Sequence, residues 1–115
     1  MVKRWRRRQR SATSRTDDTV ERHLAEFVDT REGVEAYVEP RTMVTETTLL
    51  LIAGDGEWTR RQVPSAQWAS DFARRHKIPS YDAAVSGYPD RMRAWNRQKA
   101  AERKNIDIPD DLSGL

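Results

Sequence analysis

The first periodic segment of the chain carries apolar residues at the spacing of one helix face. These residues are Val20, Leu24, Phe27 and Val28. Asp18 stands before them in the position of a helix cap, and Gly33 follows them as a C-terminal stop. The pattern therefore predicts a first helix between Asp18 and Gly33.

From Val34 to Pro40 the period changes to two, with small apolar residues alternating against larger or charged ones. Residues 42–52 form a second segment rich in β-branched and aliphatic side chains, which a bend could interrupt near its middle. It ends at Asp55-Gly56, a dipeptide that is a strong hairpin signal. Residues 57–63 then supply the returning strand, so the pattern predicts three antiparallel strands in a meander.

Helical signals return after the strands. Ser65 is a candidate cap for a second helix, on which Trp68 and Phe72 share a face. Residues 80–86 resemble a short helical turn, and Pro89 is suited to the first position of a last helix. Strands followed by helices indicate the α+β class. We predict a three-stranded antiparallel meander with helices on one face, in the order αβββαα.

Charge divides the chain of 115 residues into parts with different properties. Residues 1–16 hold seven basic residues and no acidic one, with too little apolar surface to fold, and they are predicted to form a disordered basic arm. Residues 17–104 are predicted to form a single α+β domain. Residues 105–115 are predicted to be an acidic, flexible tail. From residue 17 onward the sequence has a net charge of −4.

The basic arm carries the most specific chemical signal in the sequence. Its candidate nucleic-acid-binding residues are Lys3, Arg4, Trp5, Arg6, Arg7, Arg8 and Arg10. Guanidinium groups match phosphate oxygens, and an indole can stack on an exposed base, so nucleic acid or a ribonucleoprotein is the expected partner. The alternatives are a solubilising tail, a patch that touches acidic membrane lipid or ribosomal RNA without specificity, and an arm that binds an acidic protein surface.

A second candidate surface is a partner-binding face on the third predicted strand, made of Trp58, Arg60 and Arg61. Aromatic and arginine side chains are the usual anchors of interfaces. The alternative for a tryptophan in so small a domain is a place in the core. The register of the strands decides which of these side chains is exposed, and the sequence leaves that register open.

Features of a catalytic or metal centre are missing from the sequence. It has no cysteine, which excludes a thiolate site and makes a reducing, cytoplasmic location the expectation. Its two histidines, His23 and His76, do not stand at a metal-binding spacing. Gly54-Asp55-Gly56 lacks the glycine pattern of a nucleotide-binding loop. We therefore expect no catalytic residue, no metal, no cofactor and no membrane span, while the oligomeric state stays open.

Three segments also carry a family resemblance. They are Val34–Pro40, Asp55–Arg61 and residues 80–93, which include D-G-E-W-T-R-R and G-Y-P-D-R-M-R. Together they resemble a family of short uncharacterised actinobacterial proteins over residues 18–96. The resemblance implies no established activity and assigns no functional residue.

Three functions of different classes remain after these observations. The first is a non-enzymatic binding module that associates with nucleic acid or a ribonucleoprotein through its basic arm. The second is a regulatory or assembly protein that acts only by protein–protein contact. The third, which the residues support least, is a small redox enzyme.

Overall fold

A computed structural model describes the backbone of residues 18–114 and the side chains of residues 18–104. The predicted basic arm, residues 1–16, lies outside the described residues. The side chains of the predicted acidic tail, residues 105–115, also lie outside them, although the backbone of residues 105–114 continues a helix. The predictions of a disordered arm and a flexible tail therefore stay predictions.

The described residues form an α+β fold that begins with helix α1, residues 18–30. The elements that follow are β1 Glu35–Glu39, β2 Thr48–Ile52, β3 Trp58–Gln62, α2 Ala66–Arg75, β4 Ser80–Asp82, α3 Ala83–Ser86 and α4 Asp90–Gly114. The predicted α+β class is thus confirmed. The observed order is αβββαβαα, so the predicted order αβββαα lacked β4, and the short helical turn predicted over residues 80–86 is confined to α3.

The four strands form one mixed sheet in the order β3-β2-β1-β4. β1 pairs antiparallel with β2, and β2 with β3, as the predicted meander requires. The prediction of a three-stranded antiparallel sheet was nevertheless wrong, because β4 adds a parallel neighbour to β1, with Tyr37 opposite Tyr81. β4 has three residues, all of them exposed, and so lacks the apolar alternation that marks a half-buried strand.

Helices cover both faces of this sheet, which corrects the prediction that they pack on one face. On one face, α1 and α2 bury Leu24 and Phe72 against β1 and β2. On the other, α3 and α4 place Ala83 and Met92 in a second cluster with Tyr37 of β1 and residues of β2. The physical reason lies in β2, where the run Leu49–Ile52 is completely buried. A strand that is apolar at consecutive positions needs cover on both sides.

The β1–β2 connection is a structured turn rather than the beginning of a long strand. The backbone N–H of Thr42 donates to the Thr45 carbonyl at 2.9 Å, and the Thr42 hydroxyl accepts from the N–H groups of Val44 and Thr45. Such local hydrogen bonds compete with strand pairing. β2 consequently begins at Thr48, and residues 42–47 of the predicted second strand form the turn.

Helix α2 begins where the sequence predicts. The Ser65 hydroxyl accepts a hydrogen bond from the Trp68 N–H at 3.0 Å and caps the helix. Trp68 stacks on Phe72, with ring centroids 5.7 Å apart, and Phe72 is completely buried. The last helix begins at Asp90, one residue after the predicted Pro89. A difference of one residue is usual at the ends of helices.

Candidate nucleic-acid interface

The arginine-rich run of the arm lies outside the described residues. No statement about the geometry of Lys3, Arg4, Trp5, Arg6, Arg7, Arg8 or Arg10 follows from the structure, and their role in nucleic-acid binding stays a prediction. Within the described residues, the candidate interface consists of surfaces that carry unpaired charge or exposed apolar groups. The first of them is the predicted partner-binding face of Trp58, Arg60 and Arg61.

Trp58 joins the sheet to α4 rather than standing free on the surface. Its ring is partly buried against the cluster that contains Leu50 and Met92. The indole N–H donates to the Asn96 side-chain oxygen at 2.8 Å. The indole therefore has its single donor satisfied and one side covered, which matches a structural anchor better than a docking residue.

Arg60 and Arg61 point to opposite faces of the sheet. Arg60 lies on the Trp58 side, with its guanidinium 5.3 Å from the Trp58 ring centroid, and donates to both carboxylate oxygens of Glu39 at 2.7 and 2.9 Å. Arg61 is exposed on the α1 side, where its guanidinium lies 3.5 Å from Nδ1 of His23. Because neighbouring residues of a strand alternate between faces, Trp58, Arg60 and Arg61 do not form one patch.

Glu39 is the centre of a hydrogen-bonded network on the α4 face. Besides the two Arg60 bonds, it accepts hydrogen bonds from the hydroxyls of Thr48 and Tyr88, both at 2.5 Å. Burial alone would raise the pKa of Glu39, but the hydrogen bonds from Arg60, Thr48 and Tyr88 outweigh it and hold that pKa below its usual value. The hydrogen bond to Glu39, together with burial, raises the pKa of Tyr88. The carboxylate is thus ionised and fully satisfied, and Tyr88 is a poor proton donor at neutral pH.

A groove of about 440 Å³ lies over this network. Its floor includes Glu39, Thr48 and Arg60, and its walls come from the β1–β2 turn and from α3. Two fully exposed apolar side chains, Met43 and Val44, stand in the turn, and Val85 of α3 is 85% exposed. Exposed apolar residues beside a groove are a feature of protein-binding surfaces. Sequence reasoning missed this groove, because it depends on where the β1–β2 turn and α3 lie in the fold.

Both histidines make contacts within the folded domain. Nε2 of His23 lies 2.8 Å from the Thr59 hydroxyl, and His76 packs on Phe72 with ring centroids 4.3 Å apart. Burial, followed by the charge of Arg61, lowers the pKa of His23, so its ring is neutral at pH 7. Among the described residues, no group of three or more His, Cys, Asp or Glu side chains could hold a metal ion.

Within residues 90–104, the contacts that join α4 to the sheet come from the first turns of the helix. Arg91 donates to Glu35 of β1 at 2.6 Å and to the Ala53 carbonyl at 2.9 Å, and Met92 is buried. One turn later, Asn96 accepts the hydrogen bond from Trp58 of β3. β3 is an edge strand of the sheet, so this hydrogen bond joins α4 to that edge.

The described residues of α4, 90–104, are basic. Lys99 still covers the Trp95 ring, with Nζ 4.5 Å from the centroid, but residues 100–104 are all exposed. Residues 90–104 hold six basic and two acidic residues, a net charge of +4. Residues 18–89 hold eight basic and twelve acidic residues, a net charge of −4. The sequence analysis predicts this helix but not its positive charge, which a count of charged residues along it would have found.

Comparison with protein-family models, curated proteins and solved structures gives no match. The resemblance noted in the sequence therefore stays a prediction. Within residues 18–114, no helix is both long enough and apolar enough to cross a membrane, and α4 is too polar despite its 25 residues.

Proposed function

We propose that this protein is a non-enzymatic binding module that associates with nucleic acid or a ribonucleoprotein through basic segments on either side of an acidic body. A cytoplasmic location is part of the proposal, because a chain without cysteine suits a reducing compartment. The observation that carries it is the separation of charge. The body of residues 18–89 has a net charge of −4, whereas residues 90–104, the part of α4 before the acidic residues 105–115, have +4 and residues 1–16 contribute seven basic groups.

This distribution suits a polyanion better than it suits a small ligand. Positive groups on extended segments can reach successive phosphates, and each phosphate that is neutralised releases condensed counterions. The acidic body repels the same polyanion and would restrict contact to the two basic segments. The fully satisfied Glu39 network has no free acid or base to offer a substrate.

The direct test is a fluorescence-anisotropy titration of the full-length protein with labelled single-stranded and duplex RNA and DNA at several salt concentrations. The proposal requires affinity that falls steeply as salt rises, because counterion release drives the association. Absence of binding to all four probes at low salt would overturn it.

A second candidate function is protein–protein contact alone. It is favoured by the exposed apolar side chains of Met43 and Val44 in the β1–β2 turn and of Val85 in α3, the two segments that line the groove. An affinity capture from lysate, performed with and without complete digestion of RNA and DNA, separates the two functions. Partners that are lost after digestion support the nucleic-acid proposal, and partners that remain, and that a Met43→Ser/Val44→Ser variant loses, support this one.

A further inference from the structure

We propose that the solvent-facing stripe of α4 formed by Arg93, Arg97 and Lys104 contacts the phosphate backbone of a double-stranded nucleic acid. This inference rests on the proposed function and assigns part of it to a surface of the folded domain, separate from the arm. All three side chains are exposed. Together they form the α4 stripe.

The geometry of the helix places the three residues in line. At about 100° per residue, positions 93, 97 and 104 fall within an arc of roughly 40° of the helix circumference. Met92 and Trp95, which face the body, lie on the opposite side of α4. The α4 stripe therefore points away from the sheet, where a large polyanion has access.

The exposed side chains between the charged residues of the α4 stripe are small. Ala100 and Ala101 are the exposed residues between Arg97 and Lys104 on this side of the helix. Small side chains let a helix approach another backbone closely, so the three long basic side chains can extend to phosphates on either side of the contact. From residue 93 to residue 104 the helix rises about 16 Å, which corresponds to about five base pairs of duplex axis.

The α4 stripe retains most of its charge for a partner. Within residues 18–104, neither Arg97 nor Lys104 forms an ion pair, while Arg93 pairs with Asp90 three residues earlier. Asp90 is fully exposed and the Arg93 side chain is 58% exposed. An exposed pair of this kind contributes about 0–1 kcal/mol, so a phosphate can replace or share the carboxylate at little cost.

A duplex fits the α4 stripe better than a single strand does. Proteins that bind single strands stack bases on aromatic rings, and the α4 stripe has none, since Trp95 lies beneath Lys99 on another side of the helix. A straight row of cations on a rigid helix matches a regular row of phosphates. Contacts of this type position a protein on a duplex without reading its sequence.

The test compares two variants with the same loss of charge. The stripe variant is Arg93→Gln/Arg97→Gln/Lys104→Gln. The control variant is Arg22→Gln/Arg74→Gln/Lys77→Gln, whose exposed residues lie on α1 or at the end of α2, on the other side of the sheet. The full-length proteins are titrated with labelled DNA and RNA duplexes at several salt concentrations, and circular dichroism is recorded for each protein.

The stripe variant should flatten the slope of log affinity against log salt by about two to three units, because each lost phosphate contact removes about 0.9. The control variant should change the slope by less than about one unit. A smaller variant, Arg97→Gln/Lys104→Gln, leaves the Arg93–Asp90 pair intact and should flatten the slope by about two units. It provides the answer if the triple variant has altered helicity.

Three results would overturn the inference. If the wild type binds duplex and the stripe variants keep the wild-type slope, the α4 stripe is not the contact, although the proposed function stands. If the wild type binds only single strands, the assignment to a duplex is wrong and the function again stands. If the wild type binds no nucleic acid at low salt, the function and the inference fall together.

Discussion

The backbone of Arg91 lies directly against Gly56. A β-carbon added to Gly56 would stand 2.1 Å from the Arg91 carbonyl oxygen and 2.9 Å from the Trp95 β-carbon. Gly56 also has a φ of +98°, a conformation that side chains rarely adopt. The first turns of α4 therefore pack against the β2–β3 turn. The glycine that allows the hairpin to form also leaves room for the helix to pack there.

We expect Gly56→Ala to lower the free energy of unfolding by about 2–4 kcal/mol, since it adds backbone strain to a steric clash. Gly87→Ala is the matched control, because Gly87 has a φ of +70° but no atom lies within 4 Å of its added β-carbon. That variant should lose about 1–3 kcal/mol from backbone strain alone, less than Gly56→Ala, because Gly87 combines φ +70° with ψ −169° but meets no clash. Urea denaturation of both measures the difference, and equal losses would show that α4 does not pack closely on the turn.

The sequence predicted the elements whose signals are local. The periodic apolar residues of α1, the Asp55-Gly56 hairpin and the Ser65 cap each determine structure within a few residues. β4 has no such signal, since its Ser80–Asp82 segment becomes a strand only by pairing with β1. Propensity is weak compared with tertiary context for so short a strand.

The sequence does contain a signal for the helices that cover the second face of the sheet. The uninterrupted apolar run Leu49–Ile52 indicates a strand buried on both sides, and an interpretation by alternation alone overlooks it. The candidate site likewise has one part that the sequence reveals and one part that it does not. Charge counts along the sequence could reveal the basic helix, but the pairing of Arg60 with Glu39 depends on register, which no local pattern fixes.

Acid should destabilise the protein partly through Glu39. Its pKa is lowered in the folded state, so the stabilisation is present above the pKa of the unfolded state and is lost as pH falls through the folded pKa. Stability should therefore decrease below about pH 4.5, where carboxyl groups of unfolded chains become protonated. Glu39→Gln should cost about 1–3 kcal/mol at neutral pH, because hydrogen bonds to a charged group are lost.

Glu39→Gln should also make the decrease below about pH 4.5 shallower, since the variant has one fewer coupled carboxylate. Glu46→Gln is the control, because Glu46 is exposed and lies 3.9 Å from its partner Arg41. Urea unfolding at several pH values measures both effects. An acid profile of Glu39→Gln that matches the wild type would mean that Glu39 does not contribute to acid sensitivity.

The arginines of the arm should act through charge alone. We expect Arg6→Ala/Arg7→Ala/Arg8→Ala to flatten the dependence of log affinity on log salt by about two to three units, on any sequence of nucleic acid. The Arg22→Gln/Arg74→Gln/Lys77→Gln variant removes the same charge from the body and should leave the slope nearly unchanged. If both variants weaken binding equally, net charge rather than the arm controls the affinity.

Trp5 should contribute in a different way from its arginine neighbours. An indole that stacks on an unpaired base adds affinity without neutralising a phosphate, so Trp5→Ala should weaken single-strand binding by about 1–3 kcal/mol and keep the salt slope of the wild type. Duplex binding should change little, because paired bases are not free to stack. Anisotropy titrations with single-stranded and duplex probes of equal length provide the comparison. The matched control is Trp5→Phe, which retains a ring and should restore most of the single-strand affinity. Equal losses on both probes would indicate that Trp5 supports the arm by another contact, and unchanged affinity on both would remove it from the binding surface.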